Sequence, residues 1–163
     1  MSTVGIRFRD PMVRLSRFGD DILVRCPVCS GAASVRPDRT AGEQRLAGLH
    51  RRVTCSGCGH VQYWSAPQRD SGYLLPHLSG PEDPYFGFPL WLRTEFRGRL
   101  FWAYNADHLT LLERYLTAGL RERGPAFSCC EMSMLEQLPA WMKAGKHRGG
   151  LLRAVWLLRA RLP

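Results

Sequence analysis

Two pairs of cysteines are the residues of this chain whose type and spacing can do nameable chemistry. Cys26 and Cys29 are separated by two residues, as are Cys55 and Cys58, and 25 residues lie between the pairs. A C-x-x-C turn brings two thiolates to one metal ion, and two such turns complete a tetrahedral site of four sulfurs. Four sulfur ligands favour zinc, or less often iron. The sequence therefore predicts one zinc ion held by these four residues.

The predicted metal is structural. Four protein ligands close the coordination sphere and leave no position for water, so the ion stabilises the fold and does not catalyse. Glycines follow both pairs, at Gly31 and Gly59, where chain leaving a metal-binding turn often needs a positive φ angle. His60 is expected beside the site or at the surface. Adjacent cysteines cannot easily ligate the same ion, so Cys129 and Cys130 are predicted to be buried packing residues.

Short β-rich runs flank each cysteine pair, and they are the elements that must position the thiolates. Each pair has one such run before it and one after it, which predicts two hairpins clasping one ion. The intervening segment is rich in charge and turn-forming residues and is expected to be an inserted loop. The four runs are 22–25, 32–36, 51–54 and 61–64, and the loop is 37–48.

The second half of the chain predicts one more hairpin and about three helices. Two aromatic-rich runs meet at Arg97-Gly98, a typical hairpin turn. Asp107 is the expected N-cap of a helix that reaches about Arg123. The S-x-x-E spacing of residues 133–136 predicts a short helix with a capping box. Apolar residues spaced along 151–162 predict a terminal helix.

Together these elements predict an α+β protein in which a small four-cysteine zinc ribbon packs against a further hairpin and helices. A ribbon of this size has little core of its own, so docking on the rest of the chain is expected. The predicted organisation is a basic arm at 1–20, the ribbon at 21–65, a Pro/Gly-rich connector at 66–84 and a hairpin plus helical region at 85–163.

The two cysteine turns resemble the zinc-ribbon group, which is found in transcription factor IIB, RNA polymerase subunits and many small bacterial proteins. The resemblance rests on Cys-Pro-Val-Cys-Ser-Gly at 26–31 and Cys-Ser-Gly-Cys-Gly-His at 55–60. Residues 83–87, 89–92 and 100–105 also resemble uncharacterised bacterial proteins with such a ribbon at the N-terminus. In that group a further cysteine-bearing turn is expected between the aromatic runs, but residues 94–99 contain no cysteine.

The charge of the chain favours an acidic partner. Its formal net charge is +9, and 23 residues are basic, of which all but Lys143 and Lys146 are arginine. Such a balance suits nucleic acid or acidic protein surfaces, although a GC-rich genome also produces an arginine excess without selection for binding. Arginine beside exposed aromatic residues can hold phosphates and stack on bases. The predicted contact residues are Arg25, Arg36, Arg51, Arg52, Tyr63 and Trp64.

The sequence thus favours a non-catalytic zinc-binding protein that contacts nucleic acid or a nucleic-acid-handling complex. It contains no P-loop, nucleophile elbow, zinc-protease or dinucleotide-binding motif, so no enzyme is predicted. Two alternatives stay open: a protein–protein adaptor with a purely structural zinc, and a rubredoxin-like iron protein. No secretory signal or membrane span is recognised, and paired C-x-x-C turns are typical of a reducing compartment, so a cytoplasmic location is expected.

Overall fold

A computed structural model describes residues 6–40, 48–124 and 132–163. Within these ranges the protein is α+β, with ten strands and three α-helices. The strands are β1 (Arg7–Arg9), β2 (Ile22–Arg25), β3 (Ala32–Pro37), β4 (His50–Thr54), β5 (Val61–Ser65), β6 (Gln68–Arg69), β7 (Gly72–Tyr73), β8 (Leu92–Phe96), β9 (Arg99–Ala103) and β10 (Leu120–Glu122). The helices are α1 (Ala106–Thr117), α2 (Ala140–Lys143) and α3 (Arg148–Arg159), with 3₁₀ turns at Leu15–Phe18 and Gly145–His147.

The strands predicted around the cysteine pairs form one antiparallel sheet in the order β2-β3-β4-β5. Both hairpins therefore lie side by side in one sheet, with the cysteine turns at the same end. Side chains alternate between the two faces of a strand, and one face carries the fully buried Ile22, Val24, Val35 and Val53. The other face buries Leu23 but exposes Arg36 and Tyr63. The predicted loop 37–48 lies partly outside the described residues.

The hairpin predicted around Arg97-Gly98 is confirmed. Strands β8 and β9 pair in register on both sides of this turn. Arg97 and Gly98 have φ angles of 51° and 72°, which is the conformation that a tight two-residue hairpin turn requires. Phe101 is completely buried, so this hairpin contributes directly to the core.

The prediction for the first helix was wrong at both ends. Asn105 is the N-cap, and its side-chain oxygen accepts a hydrogen bond from the His108 N–H. The helix ends at Thr117, and Leu120 is 52% exposed instead of lying on a buried helical face. Residues 120–122 instead pair in parallel with β1. The chain forms a backbone ladder with a distant strand there, and local periodicity carries no signal of that partner.

Residues 7–20 of the predicted basic arm include regular secondary structure. They contain β1 and a 3₁₀ turn, and they bury Phe8 and Phe18. These two rings belong to the same apolar cluster as the sheet, the β8–β9 hairpin and the helices. The connector 66–84 contains the small β6–β7 hairpin.

The predicted capping box forms, but it does not begin a helix. Ser133 N–H donates to Glu136 Oε2 at 2.8 Å, and Glu136 N–H donates to Ser133 Oγ at 3.2 Å. Residues 134–137 are a turn, and α2 begins only after Pro139. The terminal helix α3 is confirmed. No helix in the described part of the chain is both long enough and apolar enough to cross a bilayer.

Candidate metal centre

The four predicted cysteines come together in one cluster, in which all the sulfurs lie within 4.8 Å of one another. Cys26 Sγ is 3.7 Å from Cys58 Sγ, and Cys29 Sγ is 3.6 Å from Cys55 Sγ. A tetrahedral ion with metal–sulfur bonds of about 2.3 Å needs sulfurs about 3.8 Å apart. The residues present therefore fit a bound metal ion, and the predicted ligand set is confirmed as a cluster that can hold one.

The two cysteine turns have the same backbone design. In the first, Ser30 N–H donates to Cys26 O, and in the second, Gly59 N–H donates to Cys55 O. Ser30 has φ 62° and Gly59 has φ 75°, so each turn needs one left-handed residue four positions after its first cysteine. The expectation of a positive φ was correct for Gly59 and wrong for Gly31. A Cβ added at Gly31 would lie 3.3 Å from Cys29 Sγ, so this glycine provides space beside the sulfur.

Backbone N–H groups point at two of the sulfurs and stabilise negative charge on them. Val28 N–H lies 3.4 Å from Cys26 Sγ, and Gly31 N–H lies 3.4 Å from Cys29 Sγ. Such donors favour the thiolate. The Val28 and Gly31 donors follow from turn geometry, and the sequence alone gave no signal for them.

The thiols have unequal affinities for their protons. Burial raises the pKa of Cys26, but hydrogen bonds from the Cys29 and Val28 backbone N–H groups and from the Cys58 and Cys55 thiols together outweigh it and lower that pKa to about 6. At Cys58 the His60 N–H acts to lower the pKa, but burial and the neighbouring thiols raise it to about 12. Four thiolates this close repel one another, so full ionisation needs a cation between them.

His60 lies next to the cluster without joining it. The cluster among the described residues consists of the four cysteines alone. The His60 carbonyl accepts a hydrogen bond from Cys55 N–H at 2.9 Å, so the backbone of this residue shapes the second turn. Cys129 and Cys130 lie outside the described residues.

Three of the predicted contact residues form a row on the solvent face of the sheet. Arg36 pairs with Arg52 across β3 and β4, and Arg52 pairs with Tyr63 across β4 and β5. Tyr63 is 62% exposed. Arg36 donates to Asp21 Oδ2 at 2.8 Å, and Arg25 is exposed on the same face. We call Arg36, Arg52 and Tyr63 the basic row.

Arg51 and Trp64 lie on the opposite, inward face of the sheet. Because Arg51 is buried there, it is no longer a candidate contact residue. Arg51 is only 7% exposed. Its Nη1 donates to the Gly19 carbonyl at 2.9 Å, and its guanidinium lies 4.5 Å from the centre of the Tyr85 ring. Trp64 is half-buried against the same tyrosine, with ring centres 5.0 Å apart. Neighbouring residues on a strand face opposite ways, so Arg51 and Arg52 have different environments.

The chain matches no protein-family model, no curated protein and no solved structure. The fold and site define an α+β protein with a four-cysteine cluster suited to a metal ion. Membership of the zinc-ribbon group stays a prediction based on the two cysteine turns.

Proposed function

We propose that this protein is a non-catalytic zinc-binding protein of the zinc-ribbon type that contacts nucleic acid or a nucleic-acid-handling complex. One observation supports this proposal above the others. The four-cysteine cluster lies at one end of the β2–β5 sheet, and the solvent-exposed face of that sheet carries the basic row of Arg36, Arg52 and Tyr63.

Zinc is the metal that the donor set fits best. Four thiolates with sulfur separations of 3.6 and 3.7 Å suit a tetrahedral d¹⁰ ion that has no redox chemistry. Structural zinc sites bind with an apparent free energy of about 10–16 kcal/mol at neutral pH, which exceeds the stability of many small domains. The ion would therefore hold β2–β5 in place and present the solvent face.

The basic row has the chemistry of a surface that binds unpaired nucleotides. An arginine guanidinium pairs with phosphate oxygens in a fork geometry, and an exposed tyrosine ring offers a stacking surface to any base. Tyr63 is 62% exposed and is the direct cross-strand neighbour of Arg52. Arg36 is paired with Asp21, but both side chains are largely exposed, at 63% and 42%. Such a surface ion pair is weak, so a phosphate can replace the carboxylate.

The proposal is tested first by the metal content of the purified native protein, measured by mass spectrometry under non-denaturing conditions. One zinc ion per chain is expected. Protein that is kept reduced throughout and still contains no metal would overturn the zinc assignment.

The nucleic-acid contact is tested by fluorescence anisotropy with a labelled single-stranded oligothymidine. Arg52→Ala and Tyr63→Ala are each expected to weaken binding about 5- to 100-fold, because a phosphate contact or a stacked base is lost. Losing one phosphate contact should also lower the slope of log affinity against log salt by about 0.7 for the Arg52 variant.

Matched controls come from exposed residues elsewhere. Arg153→Ala removes the same charge from an exposed position of α3, and Tyr73→Ala removes a tyrosine that is 49% exposed in β7. Both are expected to bind as the unmodified protein does. Equal losses in the controls and in the basic-row variants would refute a specific contact surface.

An adaptor function is the second candidate, because β5 is the outer strand of its sheet. A backbone hydrogen bond joins Leu49 to Ala66, and another joins Cys55 to His60. In an antiparallel pair, every second residue directs its backbone N–H and C=O towards the partner strand and the residues between them direct theirs away. The backbone groups of Val61, Tyr63 and Ser65 therefore point away from β4. An outward strand edge can pair with a strand of another protein. Binding to a protein partner that barely changes with salt would favour this function.

An iron centre of the rubredoxin type is the third candidate. It uses the same four thiolates, and N–H groups directed at the sulfurs suit it equally. Visible colour and iron in the metal analysis would select it, and a colourless zinc protein would exclude it.

A further inference from the structure

A cavity of about 360 Å³ lies between β9, α1, α2 and the segment of residues 78–81. Trp102 of β9, Leu112 of α1 and Trp141 of α2 form part of its wall. Leu100 also lines the cavity and is 46% exposed, so the cavity is open to solvent beside this residue. Apolar cavities of about 150 Å³ already admit a benzene ring, so this one is large enough for two fused rings.

His108 is the buried polar side chain in this wall. It lies in the first turn of α1 and is only 2% exposed. Its ring stacks on Phe18, with centres 4.8 Å apart and planes at 14°. The Trp102 ring contacts the imidazole edge-on, with ring centres 5.8 Å apart. The Tyr104 ring is tilted against it, with ring centres 5.7 Å apart. The ring is therefore fixed in orientation by its neighbours.

The hydrogen bond of His108 determines which nitrogen carries the proton. The Tyr104 backbone N–H lies 3.2 Å from His108 Nδ1. A backbone N–H can only donate, so Nδ1 accepts and has no proton. Burial lowers the pKa of His108 to about 3, and the ring is neutral at neutral pH. A neutral imidazole that accepts through Nδ1 must carry its proton on Nε2.

The Nε2–H group has no hydrogen-bond partner among the described residues. Among the described residues, the His108 ring makes one side-chain hydrogen bond, and that bond uses Nδ1. With Phe18 on one face and Nδ1 occupied, the Nε2 side is the edge of the ring left for the cavity that His108 lines. Nε2 is not among the fully buried side-chain atoms that lack a partner, so this nitrogen is not enclosed by protein atoms and can meet a ligand.

We propose that this cavity is a binding site for an uncharged, largely apolar small molecule that carries one hydrogen-bond acceptor, which His108 Nε2–H recognises. No charged side chain is found among the described residues that line the cavity, so an ionised ligand would lose its hydration without gaining a counter-charge. Mostly apolar walls with a few converging polar groups are typical of small-molecule sites, and Ser79 and Gln137 line this cavity beside His108. This site is separate from the cysteine cluster and does not depend on the proposed function.

The test uses quinoline and naphthalene, two bicyclic molecules of one shape, of which only quinoline has an acceptor. Binding at pH 7.5 is followed by nuclear magnetic resonance through the indole N–H signals of Trp102 and Trp141. We expect quinoline to bind with a Kd below about 1 mM. The imidazole ¹⁵N spectrum of His108 should show the proton on Nε2, and quinoline alone should move that Nε2 signal.

The variant His108→Phe keeps an aromatic ring but removes the donor. The ratio of quinoline affinity to naphthalene affinity should fall about tenfold or more in this variant, because the ring nitrogen then enters the cavity unpaired. The ¹⁵N measurement on the unmodified protein gives a result even if that variant does not fold. The proposal is overturned by a proton on Nδ1, by no indole shift with either molecule, or by equal effects of both molecules on Nε2.

Discussion

Mild acid should destabilise this protein through His108 in particular. The unfolded chain exposes the imidazole, which then has an ordinary pKa of about 6.5. In the folded protein, burial lowers that pKa to about 3. Between these two values the unfolded state binds a proton that the folded state does not, so the free energy of unfolding falls as pH decreases from 6.5 towards 3.

The size of this effect follows from the two pKa values. Between pH 7.5 and 5.0, one histidine that titrates only when unfolded reduces the free energy of unfolding by about 2 kcal/mol. The folded ring takes up almost no proton in that range, because pH 5.0 is still well above its pKa of about 3. Stability lost through His108 is regained when the pH is raised again.

Urea unfolding at pH 7.5 and at pH 5.0, with metal present, measures this loss. Other groups, including the cysteine cluster, also titrate, so the loss must be compared with that of His108→Asn. The asparagine oxygen can take the place of Nδ1 and accept the Tyr104 N–H, but it has no proton to gain. The variant should be less stable at pH 7.5 and should lose about 2 kcal/mol less than the unmodified protein on acidification.

Equal losses in the two proteins would refute this reasoning. They would mean that the ring is protonated in the folded state at pH 5.0, or that it stays buried after unfolding.

Three further predictions concern the metal ligands, the inward face of the sheet and the first helix. Cys55→Ser should release the metal and abolish cooperative folding of the sheet, which metal analysis and circular dichroism would detect. Arg51→Ala should lower the free energy of unfolding by about 2–4 kcal/mol, because a charged hydrogen bond and a cation–π contact are lost, and should leave oligonucleotide affinity unchanged. Asn105→Ala should cost about 2–4 kcal/mol, because the helix cap and the side-chain donor to two carbonyls disappear together.

Each of these predictions has an outcome that contradicts it. A Cys55→Ser protein that keeps both metal and sheet would show that three thiolates suffice. Weakened oligonucleotide binding by folded Arg51→Ala would return that residue to the contact surface. A loss below about 0.5 kcal/mol for Asn105→Ala in urea unfolding would mean that water replaces its hydrogen bonds without cost.

The features predicted correctly from sequence depend on residues close together in the chain. The C-x-x-C spacing predicted the four-cysteine cluster, and the β-rich runs beside it predicted β2–β5 nearly to the residue. Arg97-Gly98 predicted a hairpin because the turn conformation depends on those two residues alone. Such features need no knowledge of the rest of the molecule, since the interactions that define them are local.

Tertiary structure determined the features that depend on distant partners. Residues 120–122 form a strand only because β1 lies beside them. Arg51 looked equivalent to Arg52 in the sequence, but Gly19 and Tyr85 cover it. The sequence by itself predicted that four cysteines meet between two hairpins, because the spacing within each cysteine pair is a local feature of the chain. Which arginines face solvent, and that His108 lines a cavity, depended on packing between segments far apart in the chain.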